Sequence, residues 1–175
     1  MTATYIADTG VFVRCGGPKR PKYRALRRAL RQADVTLLVP KLVYEELGGD
    51  PASAEYSREN MLHASGFEEG WIDVAEDLEY ANSLVSSAMD DARRFIANET
   101  GRAEDTIEKA DTALVGLAAQ LLGSGDAETV VLLTTDKPAG RAAERVLDSY
   151  GYGGRIEYRY VSESFLESIT AAEFV

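Results

Sequence analysis

The sequence predicts a single three-layer α/β/α domain with a mainly parallel central sheet. Apolar runs of strand length alternate along the chain with amphipathic segments of helical period, the order that a parallel sheet covered by helices requires. A length of 175 residues and a mass of 19.1 kDa suit one domain that buries roughly two thirds of its unfolded surface. The composition, 45% hydrophobic and 27% charged, is that of ordinary globular proteins rather than of disordered or fibrous chains.

Taken in order, Thr4 to Ala7 reads as a short buried strand ending at Asp8. Thr9 to Phe12 follow, and then the breaker string Cys15-Gly16-Gly17-Pro18, where a turn or lid is expected. From Pro21 the apolar residues Tyr23, Leu26, Leu30 and Ala33 recur at helical spacing, with Arg24, Arg27, Arg28 and Arg31 on the other face: an amphipathic basic helix. Val35 to Val39 is the next strand, and Pro40 suits the first turn of a short helix, Lys41 to Leu47, stopped by Gly48-Gly49-Asp50-Pro51.

The segment 48–104 is mostly helical in pattern, with a long element from about Asp77 to Asn98 and a short strand near Trp71 to Val74. Asp105 and Glu108 have the reciprocal spacing of a capping box, opening a helix that runs to Leu122 and closes at Gly123-Ser124-Gly125. Thr129 to Thr134 is the clearest strand. A helix from Ala139 to Ser149, a glycine turn at 151–154 and a strand from Arg155 to Val161 complete the alternation.

Composition excludes several function classes. No apolar run approaches the roughly 20 residues that span a bilayer, and the start lacks the basic-then-apolar pattern of a secretion signal, so no membrane partner and a cytoplasmic location are expected. Lone Cys15 forms no intrachain disulfide, and a single histidine, His63, leaves no Cys/His set for zinc. No Walker-type or dinucleotide-binding glycine pattern occurs. The net charge of −10 argues against indiscriminate attraction to polyphosphates, yet the charge is segregated. Between Thr9 and Ala33 stand eight cations and no acid, so this segment is +8 and the remainder −18. Abundant acid with only five lysines suits a salt-rich cytosol.

Four acids carry the chemical reading. Asp8 and Asp136 follow strands, and in open α/β sheets ligands bind beyond the carboxyl ends of strands. At 100° per residue, Asp111 falls at the edge of the apolar arc of Ala110, Leu114, Leu117, Ala118 and Leu121, while Glu108 and Thr112 turn toward solvent. The same construction sets Glu46 between Leu42 and Val43, the inward side, and Glu45 opposite. A carboxylate held out of water needs a cation or donors to compensate it. An Arg or Lys partner, or a plain N-cap role, would make any one of these acids structural. Four inward or strand-end acids favour a divalent metal, and ligation by oxygen alone suits Mg²⁺ or Mn²⁺.

The segments Tyr5 to Phe12, Val39 to Leu47, Lys109 to Ala118 and Leu132 to Lys137 resemble, in order and spacing, the PIN domain family, and the resemblance runs from Tyr5 to about Val161. It implies a metal-dependent endonuclease for single-stranded RNA, with Asp8, Glu46, Asp111 and Asp136 as the metal-holding cluster and Thr134 as a supporting hydroxyl. Many compact members that look like this chain are VapC-type toxins, held inactive by an antitoxin protein and commonly homodimeric, although residues 48–102 form a longer segment than the smallest toxins have. The implied reaction is in-line attack by water leaving a 5′-phosphate and a 3′-hydroxyl; Lys137 and Arg141 are candidates to steady the phosphate.

Because RNA is itself an anion, Arg14, Arg24, Arg27, Arg28 and Arg31 are candidates to flank the crevice as counter-charge. A solvated helix face is the bland alternative for them, and a core contact for Tyr23. Two rival functions stay open: a PIN-like module that binds RNA or protein without cutting, and an RNA-processing nuclease that has no antitoxin. His63 reads as a surface or packing residue and Cys15 as a plain loop thiol. Gly10, where aspartyl-phosphate enzymes of the Asp-Thr-Gly kind would need a second acid, argues against that chemistry.

Overall fold

Side chains alternate across a strand, so runs such as Val130 to Leu133, apolar at every position, need cover on both faces of the sheet. A computed structural model, describing residues 3–49, 52 and 61–174, shows that cover. Strands β1 (Ala3–Ala7), β2 (Leu37–Val39), β3 (Ile72–Val74), β4 (Thr129–Thr134) and β5 (Ile156–Tyr160) form one sheet in the order β3-β2-β1-β4-β5. Every neighbouring pair is parallel, with Ile6 opposite both Leu38 and Leu132.

The helices are α1 (Thr9–Cys15), α2 (Pro21–Ala33), α3 (Lys41–Tyr44), α4 (Ala64–Glu69), α5 (Ser83–Thr100), α6 (Lys109–Ser124), α7 (Lys137–Leu147) and α8 (Glu163–Ser168). On one face Tyr5, Ala7, Leu37, Val39, Val131 and Leu133 pack with Phe12 of α1, Leu26 of α2 and Leu166 of α8. On the other Ile6, Leu38, Val130 and Leu132 pack with Ile96 of α5, Leu114 of α6 and Ala142 of α7. The result is the three-layer α/β/α arrangement. From β1 the chain winds outward to β3, then crosses back to β4, so the direction of winding reverses between β1 and β4. That reversal leaves a crevice beyond their carboxyl ends. No helix among the described residues is long and apolar enough to cross a membrane.

Several local expectations change. Thr9–Cys15, to which the sequence pattern assigns no element, is a helix: Asp8 caps it, and Gly16 at φ 75° ends it just before Pro18. After α3 the chain winds into a wider turn over Glu45–Gly49, with Gly48 at φ 104°, so the phase assumed for Lys41 to Leu47 is lost. The long helix begins at Ser83 rather than near Asp77, because the Asn82 side chain accepts from the amides of Leu84 and Val85. The capping box of Asp105 and Glu108 does not form. Ile107 is extended (φ −73°, ψ 131°), which leaves Glu104–Thr106 as a separate 3₁₀ turn and starts α6 at Lys109. Thr112 is buried rather than solvent-facing, since α6 lies between the sheet and α5 and donates its hydroxyl to the Lys109 carbonyl. α8 and the 3₁₀ turn Ala171–Phe174 had no counterpart in the sequence reading. The stop at Asp50-Pro51 and the helical pattern over 53–60 lie outside the described residues.

Leu132 is fully buried at the centre of the sheet. Leu132→Ala should lower the unfolding free energy in urea by about 3 to 4 kcal/mol, and a loss under about 1 kcal/mol would contradict this packing.

Candidate active site

The crevice between β1 and β4 is built by side chains that also start helices. Asp8 leaves the end of β1 and caps α1, its Oδ1 accepting from the Val11 amide at 3.0 Å. Its Oδ2 accepts from Thr134 Oγ1 at 2.6 Å and from the Thr135 amide at 3.0 Å. Burial nonetheless dominates these three donors, and with the nearby Asp136 charge it raises the Asp8 pKa. Asp136 caps α7, accepting from the Ala139 amide at 3.2 Å, while its own amide donates to Thr134 Oγ1 at 2.9 Å. The buried Thr134 hydroxyl therefore joins the two strand ends. Gly10 sits where α1 passes close to Thr135: a Cβ there would collide with Thr135 Oγ1, so the position has no room for a second acid.

Asp111 in the first turn of α6 and Glu46 in the turn after α3 complete the group. A pocket of about 210 Å³ is lined by Asp8, Glu46, Asp111 and Asp136, with Glu108 and Arg102 on it as well. Asp111 is half-buried, and its carboxyl makes neither a hydrogen bond nor an ion pair among the described residues. Its pKa is pushed up to about 7, first by burial and then by the charges of Asp136, Glu108, Asp8 and Glu46. Those four charges act on one carboxyl, so the acids share one electrostatic field. Glu46 is exposed rather than inward, a consequence of the widened turn, and its Oε2 accepts from Thr9 Oγ1 at 2.5 Å.

No ion pair among the described residues involves Asp8, Glu46, Asp111 or Asp136. They also do not converge on one point: among the described residues no three His, Cys, Asp or Glu side chains form a group that could hold a metal ion as they stand. Their partners explain why. Asp8 and Asp136 are turned to backbone amides and Glu46 to a hydroxyl, and like charges move apart when nothing of opposite sign lies between them. In donor type the set fits a hard dication, being all oxygen and negatively charged without a paired cation.

The cations lie elsewhere. Arg14, Arg24, Arg27, Arg28, Arg31, Lys137 and Arg141 do not line the acid pocket. Arg27 and Arg31 both meet Glu69, at 2.9 and 3.2 Å, and Arg141 meets Glu99 at 2.6 Å. Arg24 donates to the Lys19 carbonyl, and Arg28 is exposed. Tyr23 is a core residue whose hydroxyl lies 2.7 Å from Ser65 Oγ. His63 packs on Tyr23 with Nε2 3.0 Å from the Gly16 carbonyl, and burial lowers its pKa. Burial pushes the Cys15 thiol up to about 12, which makes it inert. Arg102, which the sequence reading missed, stands on the pocket with its Nε on Thr100 Oγ1, and its one sequence signal is its place after the helix-ending Gly101.

Fold and pocket together define a wound α/β domain with an acidic site at its switch point. The sequence profile of the family described as Halobacterial PIN domain matches residues 1–174, and the chain belongs to that family. PIN domains are generally nucleases and typically use divalent metal ions. No curated protein and no solved structure matches the chain.

Asp111 yields a pH prediction. Its folded pKa of about 7 lies above the ordinary 3.8, so between these values the native state keeps a proton that the unfolded chain has lost, and stability falls as pH rises through that window. Calorimetry without metal should show this fall. Asp111→Asn should flatten it and raise Tm near pH 8 by about 2 to 4 °C, and an unchanged slope in the variant would refute the assignment.

Proposed function

We propose that the protein is an endoribonuclease that hydrolyses phosphodiester bonds in single-stranded RNA, aided by Mg²⁺ or Mn²⁺ at Asp8, Glu46, Asp111 and Asp136. The observation that carries this reading is one pocket lined by carboxylates from four separate elements, none of them in an ion pair among the described residues. A dication held there lowers the pKa of water and offsets the charge that builds on the phosphate.

The chain's own groups divide the remaining work. Thr134 Oγ1 and the Thr135 amide fix Asp8 so that its carboxylate does not swing away. Asp136 is held in the same way by the first turn of α7. Asp111 brings from α6 a carboxyl with no partner among the described residues to give up. The Arg102 guanidinium, on the pocket and outside every ion pair among the described residues, meets the charge of the entering phosphate. The products by this route are a 5′-phosphate and a 3′-hydroxyl.

A second reading, a PIN-like module that binds without cutting, is favoured by the open spacing of the acids, of which no three already form a group for a metal. Within the nuclease reading the enzyme is either the toxin of a toxin–antitoxin pair, with an antitoxin partner and a homodimer, or an RNA-processing enzyme. Growth arrest on expression, relieved by a co-expressed neighbouring protein, favours the first.

A labelled single-stranded RNA should be cut with Mg²⁺ or Mn²⁺ and left intact in excess chelator. Asp8→Asn should lose cleavage with the fold retained, and Thr134→Val, which removes the hydroxyl that orients Asp8, should lose about 10- to 100-fold. Full activity in chelator or in Asp8→Asn would reject the proposal.

A further inference from the structure

Three groups that the acid pocket does not use meet at the edge of the same switch point. Tyr160 ends β5 in register with Thr134, and the next amide, Val161, donates to the Thr134 carbonyl at 2.8 Å. The Tyr160 side chain is partly open to solvent, at 37% exposure. The Lys137 ammonium lies 4.7 Å from its ring centroid and the Arg14 guanidinium 5.8 Å from it. Arg14 also donates to the Val161 carbonyl at 2.8 Å and to the Tyr160 hydroxyl at 3.3 Å. Both cations issue from elements that carry site acids: Asp8 caps the helix of Arg14, and Lys137 directly follows Asp136.

What sets these two cations apart is their shared place on one ring beside the pocket, with neither committed to a carboxylate among the described residues. Acids outnumber bases 29 to 19, and of the other candidate RNA contacts Arg27, Arg31 and Arg141 are paired to glutamates. Arg14 and Lys137 belong to no ion pair among the described residues. A ring face attracts a cation without neutralising it, so the ammonium keeps its three N–H donors for an outside acceptor. Two positive groups held on one aromatic, without a carboxylate, leave a local surplus of positive charge beside a pocket that repels polyanions.

We propose that Arg14, Lys137 and Tyr160 form a phosphate-binding subsite that seats the backbone of single-stranded RNA beside the acid pocket. The subsite rests on the nuclease reading for its substrate. Lys137 and Arg14 touch the phosphate, and Tyr160 is a positioning residue that holds them. Attraction thus enters from the β5 side of the crevice, where the basic face of α2 does not reach the pocket.

The experiment is fluorescence anisotropy with a labelled oligouridylate, in chelator so that no cleavage occurs, over a series of KCl concentrations. Lys137 is exposed, so Lys137→Ala should fold like the wild type, bind several-fold more weakly and lower the slope of log K against log salt by about 0.7, the share of one single-strand phosphate contact. Arg14→Ala should add a similar decrement. Tyr160→Leu, with both cations kept, should weaken binding at unchanged Tm, whereas a merely structural tyrosine would move Tm and leave the slope alone. Wild-type affinity and slope in both Lys137→Ala and Arg14→Ala would overturn the subsite, even if the wild type cleaves RNA. A wild type that cuts nothing with metal present but keeps a Lys137-dependent slope would sink the nuclease reading and leave the subsite standing.

Discussion

Negative charge gathered where the sheet offers no counter-charge is the constraint on which the rest of this structure depends. Winding order brings the ends of β1 and β4 side by side, and each ends at an aspartate. The protein meets that repulsion with what is local: two helix N-termini, whose amides and partial positive charge face Asp8 and Asp136, and one buried hydroxyl shared between them. Asp111, in the first turn of α6, has no hydrogen bond to its carboxyl among the described residues, and burial first, then the neighbouring acids, push its pKa up to about 7. Gly10 belongs to the same constraint, since only a residue without a side chain lets α1 start so close to Thr135.

Much of the fold was legible because strands buried on both faces announce themselves. Thr129–Thr134 and the helix Pro21–Ala33 lie where periodicity sets them. What failed was local and has local causes. Seven residues are too few for α1 to show a period, and its capping aspartate looked like a strand terminus. Asp105 and Glu108 have capping spacing, but spacing carries no information on whether Ile107 adopts helical angles. Thr112 was misplaced because an amphipathic construction assumes one wet face, whereas α6 is packed between the sheet and α5.

At the site, chain order sufficed for Asp8 and Asp136, whose places follow from strand ends, and for Asp111, whose phase lies on a regular helix. Glu46 reaches the pocket on a different trajectory, since the turn at Glu45–Gly49 departs from 100° per residue. Arg102 was illegible: it belongs to a loop, and only folding brings that loop to the pocket. The segregated positive segment was legible as charge, but the pairing of Arg27 and Arg31 with Glu69 was not, because that glutamate lies far away in sequence. The acid-rich, lysine-poor composition accords with a family described as halobacterial.

The central claim is that these acids, kept apart by mutual repulsion, are drawn together by a hard dication. Calorimetric titration of Mn²⁺ into the protein and into an Asp136→Asn variant tests it most directly. The account predicts saturable binding by the native chain, clearly weakened when Asp136 loses its charge, with no such weakening when the distant, exposed Glu128 is made glutamine. Equal binding by the native and Asp136→Asn proteins, or none by either, would contradict it.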